Sequence, residues 1–186
     1  PPHLSGYEIN NVKDAFSSNW ISSTGPYVEK FENDLAKYCS RSYACVVNSG
    51  TSAIHLATLL LGISQGDTVI CQSFTFIGSC NPVIYEKGEL IFVDSEKDTW
   101  NMCPKSLTLA LEDCKKRGIR PKAIIVVHLY GMPAKIDEII EIANRYGVPV
   151  IEDAAEALGS NIKGKPCGSF GSLSILSFNG NKIITT

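Results

Sequence analysis

Three short stretches of the chain carry residues able to do chemistry together. Asn48-Ser49-Gly50-Thr51-Ser52 follows an apolar run at 43–47 and opens the apolar, helix-prone segment Ala53 to Leu61. Free backbone N–H groups and the helix dipole at such a start favour an anion such as phosphate. Hydroxyl residues are also ordinary helix caps, and the segment by itself leaves both roles open. Glu152-Asp153 ends the run Val148 to Ile151 and is followed by Ala154-Ala155-Glu156. A carboxylate leaving an apolar strand needs a cation to offset its desolvation, or else it caps the next short helix. Magnesium would call for a second acidic pair at another strand end, and the sequence has none, so no metal is expected. Ser177-Phe178-Asn179-Gly180-Asn181-Lys182 sets a lysine in a polar turn between apolar segments. Lys182 is either a solvated turn lysine or a partly desolvated amine available as a nucleophile toward a carbonyl.

The three stretches gain meaning together. A phosphate anchor, an acid facing a ring nitrogen and a lysine for an aldehyde are the requirements of pyridoxal phosphate. The elements that must position them follow from the apolar pattern. From Tyr43 onward, strands are expected near 43–47, 68–72, 90–94, 123–128 and 148–152, and helices near 51–61, 77–86, 104–117 and 135–146. Leu173 to Phe178 reads as a further buried strand. Ile124-Ile125-Val126-Val127 is apolar at consecutive positions, so both of its faces are buried, and the βαβ rhythm predicts a three-layer α/β/α fold on a mainly parallel sheet. Gly62, Gly118 and Gly147 each follow a helical pattern where a left-handed terminal residue is wanted. In such sheets ligands bind outside the carboxyl ends of the strands, which is where all three stretches fall. Two amphipathic helices precede the sheet, the first behind the capping-box pattern Ser5-Gly6-Tyr7-Glu8, with Ile9, Val12 and Phe16 at helical spacing; the second carries Val28, Phe31, Leu35 and Tyr38.

The chain has 186 residues, is 44% apolar and carries 17 Lys+Arg against 19 Asp+Glu, a net charge of −2. No broad basic field exists to hold a nucleic-acid backbone or an anionic membrane. Apolar runs are far short of the ~20 residues that span a bilayer, and the N-terminus lacks a signal pattern, so a cytoplasmic protein is expected. Seven cysteines, odd in number and without a C-x-x-C pair, fit reduced core thiols. The chain begins at Pro1-Pro2 and stops in a β-prone run at 183–186, the expectation being a single-domain fragment of a longer protein.

The stretches N-S-G-T-S-A-I-H-L-A (48–57), S-F-T-F (73–76), H-L-Y-G (128–131), I-E-D-A-A-E-A-L-G-S (151–160) and S-F-N-G-N-K-I-I-T-T (177–186) resemble the large domain of the DegT/DnrJ family of nucleotide-sugar aminotransferases. The resemblance is greatest to members that aminate a UDP-4-keto-6-deoxy-N-acetylhexosamine on the way to bacillosamine-type sugars, and GDP-perosamine synthases share much of the pattern. It implies the aspartate aminotransferase fold (fold type I), with Lys182 holding the aldehyde of pyridoxal phosphate and Asp153 paired with the ring nitrogen. It also implies that Gly50, Thr51, Ser52 and Ser177 surround the phosphate and that Phe76 lies against the ring. Glu156 stands near the ring where relatives carry Gln, His or Glu. L-glutamate is the implied amino donor, a homodimer with a shared active site the implied assembly, and 183–186 the start of an antiparallel strand. Thr24, in a loop over the cleft, His128 and Asn181 are candidate substrate contacts.

Two nucleotide-binding readings are rejected. Gly159 to Pro166 nearly matches G-x-x-x-x-G-K-[ST], but Pro166 replaces the hydroxyl and the stretch neither follows a strand nor opens a helix, so it reads as a surface turn. No G-x-G-x-x-G follows the first strand. His3 falls in a loose terminus, and His55 reads as a packed helix residue.

Overall fold

The computed structural model describes residues 4–185; the readings made for Pro1, Pro2, His3 and Thr186 lie outside these residues. Helix α1 (Glu8–Ser17) begins where Glu8 accepts from the Ser5 N–H and hydroxyl (2.9 and 2.8 Å). The side-chain half of the expected capping box forms, although Tyr7 occupies the cap position. Ile9, Val12 and Phe16 remain exposed along this helix. Helix α2 (Pro26–Tyr38) starts at a proline, whose fixed φ suits a first turn. The loop between them is anchored rather than laid over the cleft: the Trp20 ring packs so closely on Gly25 that a Cβ there would meet it at 2.8 Å.

Helix α3 (Gly50–Leu60) leads into strand β1 (Thr68–Gln72). The helix expected at 77–86 is divided into a 3-10 turn, Ile77–Ser79, and α4 (Asn81–Tyr85), because Pro82 cannot donate into a preceding turn. Then come β2 (Glu89–Val93), α5 (Pro104–Lys116), β3 (Ala123–Val127), a short turn at Leu129–Gly131, α6 (Ile136–Tyr146) and β4 (Val150–Asp153). Gly147 closes α6 at φ 65°, the left-handed terminus its position called for. The stretch Gly159 to Pro166 contains a small antiparallel hairpin, β5 (Asn161–Ile162) and β6 (Lys165–Pro166), turning through Lys163 and Gly164 at positive φ, and not a phosphate loop. Strand β7 (Leu173–Ile175) is shorter than the expected 173–178.

The main sheet runs β2-β1-β3-β4-β7, parallel throughout. Its two faces separate by parity. Ile124 and Val126 join Leu107, Leu111, Ile136 and Ile139 of α5 and α6 in one core, whereas Ala123 and Ile125 join Ile54, Ala57 and Val83 of α3 and α4 in the other. The three-layer α/β/α architecture is therefore present.

Residues 43–47 do not form the expected strand. The segment is irregular and largely exposed, Tyr43 at 90%, and runs without a ladder partner among the described residues. An apolar pattern permits a strand, but only a neighbour that takes its N–H and C=O groups makes one. Residues 183 and 184 are likewise bends, and 183–185 form no strand. Among the described residues no helix is long and apolar enough to cross a membrane.

Candidate active site

A cavity of about 1010 Å³ opens at the carboxyl ends of β3, β4 and β7 and continues between α3 and 43–47. Gly50, Thr51, Phe76, Asp153, Glu156, Ser177, Asn181 and Lys182 all line it. Ser49 caps α3, its hydroxyl accepting from the Ser52 N–H at 3.1 Å. Gly50 and Thr51 thus head the helix, where backbone N–H groups have no intrahelical acceptor. Ser177 stands against this helix start, so that a Cβ added at Gly50 would lie 3.5 Å from the Ser177 Cβ. The loop carrying it is pinned on both sides, Leu176 packing on Ala154 and Cys167, and Phe178 meeting Phe31 of α2 edge-on at 4.8 Å. Ser52 instead turns its hydroxyl to Ser49 (2.9 Å) and does not line the cavity. The ordinary helix cap is thus realised, with Ser49 as the capping residue and Ser52 as the residue whose N–H it accepts.

Asp153 ends β4 and is 5% exposed. Its Oδ2 accepts from the Ser79 hydroxyl at 2.6 Å and its Oδ1 from the Ala155 N–H at 3.2 Å. Burial pushes its carboxyl above the usual carboxylate range, against the pull of Ser79, the Ala155 N–H and the positive charge of Lys182. A protonated ring nitrogen brought to this carboxylate would offset that burial. Lys182 follows a turn closed by its own N–H on the Asn179 carbonyl (2.8 Å), and its Nζ reaches Glu156 Oε1 at 3.0 Å. The other oxygen of Glu156 accepts from the Tyr130 N–H at 2.8 Å. Lysine, acid and helix start therefore face one space, a donor set that fits a planar group with a phosphate, a basic ring nitrogen and an aldehyde.

Two expected contacts do not reach the cavity. Thr24 lies beside Trp20 and Pro26 in a separate small pocket. His128 is fully buried and both ring nitrogens are taken: the Ala134 N–H donates to Nδ1 (2.9 Å), which makes Nε2 the N–H that donates to Glu152 Oε1 (3.0 Å). His55 pairs with Glu86 on the surface of α3 (2.6 Å).

Glu152, grouped with Asp153 in the sequence, has a role of its own. Fully buried, it accepts from the Gly168 and Phe170 N–H groups and from the Ser174 hydroxyl (2.5, 2.7 and 2.9 Å), while Arg41 stands 4.0 Å away and donates to the Gly168 and Gly171 carbonyls. Burial pushes its carboxyl up, but His128, these N–H groups and Ser174 outweigh that and hold it below the usual range. Its contribution to stability is thus complete above pH 4.5 and is lost as pH falls through the lowered native value. Glu152, His128 and Cys167 offer atoms within 4.8 Å of one another. Burial and the Glu152 charge push the Cys167 thiol up to about 12, and a protonated thiol is a poor metal ligand. The group is a hydrogen-bond hub. Glu152→Gln turns an N–H toward these donors, and unfolding by denaturant should show a loss of about 1–3 kcal/mol; unchanged stability would refute the hub.

With this geometry in place, comparison with known proteins decides the family. The profile of the DegT/DnrJ/EryC1/StrS aminotransferase family matches residues 2–186. The chain belongs to that family. Among its DegT/DnrJ relatives is EpsN of Bacillus subtilis, 56% identical over 186 residues, whose name assigns it provisionally to the pyridoxal phosphate-dependent aminotransferases; the match covers 100% of this chain and 48% of EpsN. The GDP-perosamine synthase of Escherichia coli O157:H7 is 45% identical over 185 residues, 100% of this chain and 49% of that protein. The X-ray structure of the aminotransferase from Psychrobacter cryohalolentis superposes with a TM-score of 0.88 at 32% identity, covering 99% of this chain and 45% of that one. The chain spans about half the length of the curated relatives it matches.

Proposed function

We propose that the complete protein is a pyridoxal phosphate-dependent aminotransferase that moves the amino group of L-glutamate to a 4-keto-6-deoxy nucleotide sugar, and that it works as a homodimer. The observation that carries this reading is the convergence of Lys182, Asp153 and the start of α3 on one cavity at the strand ends. When bound, pyridoxal phosphate supplies an aldehyde for the amino group and a ring that withdraws electrons from the carbon bearing it. The N–H groups of Gly50 and Thr51 and the hydroxyl of Ser177 hold the phosphate. Asp153 keeps a proton on the ring nitrogen, and Phe76 covers the ring. With the cofactor bound, Lys182 would hold its aldehyde end, and its Nζ would serve as the acid–base group that moves a proton at the carbon bearing the amino group. Glu156, whose Oε1 lies 3.0 Å from Lys182 Nζ, would orient that amine.

Gly50→Ala tests the phosphate contact. The added methyl keeps the backbone N–H but stands 3.5 Å from the Ser177 Cβ, in the space the phosphate would need, so affinity for pyridoxal phosphate should fall about tenfold by crowding, while the cofactor-free protein should be at least as stable as wild type. Unaltered affinity in a fluorescence titration would remove this helix start from the site.

The resemblance favours a UDP-linked N-acetylhexosamine as acceptor, whereas the 45% identity to a GDP-perosamine synthase favours a GDP-linked sugar. Incubating the complete protein with cofactor, L-glutamate and a panel of UDP- and GDP-linked 4-keto sugars, and measuring 2-oxoglutarate and amino sugar, separates the two. Failure with every member would overturn the reading. The exposed apolar stripe Ile9, Val12 and Phe16 of α1 supports a covered surface in the assembled protein.

A further inference from the structure

Three loops at strand ends each bring one aromatic side chain to the same edge of the cavity. Phe74 follows β1, Trp100 lies between β2 and α5, and Tyr130 follows β3. Their ring centroids are 6.1 Å apart for Phe74–Trp100 and 6.4 Å for Phe74–Tyr130. All three are exposed, at 41, 62 and 79%. Phe74 and Tyr130 line the cavity, and Trp100 extends the row outward. Trp100 and Tyr130 hold φ of +64° and +52°, a conformation that bulky side chains avoid and that persists only where the surroundings enforce it.

The enforcement lies beneath them in two fully buried amides. Gln72 donates from Nε2 to the Phe74 carbonyl (2.9 Å) and to Asn101 Oδ1 (3.4 Å), and its Oε1 accepts from the Val127 N–H (3.1 Å). Asn101 Oδ1 accepts from the Leu129 N–H (2.9 Å), and Nδ2 donates to the Met132 carbonyl (2.8 Å). One amide pair thus ties all three loops within two residues of each aromatic. Buried amides are stable only when satisfied in this way, so they fix the relative placement of the rings. The row also adjoins the reacting groups, since the Tyr130 N–H and Lys182 Nζ share the carboxylate of Glu156.

We infer that Phe74, Trp100 and Tyr130 form the acceptor subsite, stacking on the apolar C–H face of the sugar ring whose keto carbon faces Lys182. The inference rests on the aminotransferase reading above. A short dicarboxylate such as glutamate asks for cations, not ring faces. A sugar ring offers a flat C–H surface of the size that aromatic side chains cover.

The test separates the two half-reactions in the complete holoenzyme. Trp100→Ala and Phe74→Ala raise KM for the keto nucleotide sugar about 10–100-fold, whereas the single-turnover absorbance change with glutamate alone stays within about twofold of wild type. Trp100→Phe recovers most of the loss. The inhibition constant of the free nucleoside diphosphate is unchanged by Trp100→Ala, because the sugar and not the base lies on the row. An unaltered sugar KM, an equal loss in the glutamate half-reaction, an equally weakened nucleoside diphosphate, or dissociation of the assembly in light scattering would each overturn the subsite. A wild-type protein inert toward glutamate would instead sink the aminotransferase reading beneath it.

Discussion

On the aminotransferase reading proposed above, Lys182→Ala in the complete protein is expected to lower turnover with glutamate and keto sugar by at least about 10³-fold, within the range lost when a positioned acid–base group is removed. The variant folds. Among the described residues the lysine's side-chain hydrogen bond is to Glu156, which is 29% exposed and retains the Tyr130 N–H, so loss of a partly solvated pair costs little. It is also expected still to take up cofactor, because the proposed phosphate contacts of Gly50, Thr51 and Ser177 are untouched. Borohydride reduction fixes the cofactor covalently to wild-type protein but leaves it dialysable in the variant. Ordinary turnover, or covalent fixation in the absence of this side chain, would remove Lys182 from the chemistry.

Asp153→Asn is expected to divide activity from stability. Turnover falls about 10²–10³-fold, the scale set by loss of one buried charge placed at the reacting group. Stability of the cofactor-free protein moves the other way. The native state keeps the Asp153 proton to higher pH than the unfolded chain, whose value is near 3.8. Protons are therefore bound in excess by the native state, and stability falls as pH rises through the raised native value. Asparagine carries no charge to bury and can still accept from Ala155 and meet Ser79. Thermal unfolding of the apo proteins should show Asn at least as stable as Asp at neutral pH, with the advantage gone at acid pH. Undiminished turnover, or an apo variant weaker than wild type at pH 7, would contradict the assignment of Asp153 as a charge kept for its ligand.

The layers of the fold were legible because burial on both faces leaves a plain mark. Val69 to Cys71 and Ala123 to Val127 are apolar without alternation, and they form the middle of the sheet. Pairing leaves no such mark, and for that reason Tyr43 to Val47 reads like a strand and is not one. Parity decided the site. Adjacent residues of a strand take opposite faces, so Glu152 and Asp153 look alike in sequence but only Asp153 meets the cavity. Whether His128 faced the cavity or the core was equally invisible, since the answer depends on the Ala134 N–H six residues on. Trp100 sits in a loop with no periodic pattern, and its placement follows from Asn101, an amide whose burial no composition rule foretells.

The parallel sheet has a kinetic corollary. Three of the connections between its strands run through helices and the fourth, from β4 to β7, through the β5–β6 hairpin, and Ser79 and Asp153, 74 positions apart, touch only after several such long closures are complete. Topologies of this kind pay their closure entropy before any long-range contact rewards it, and they fold slowly. Affinity for pyridoxal phosphate therefore matures late in refolding, so the cofactor serves as a reporter of finished chains and not as a template for nascent ones.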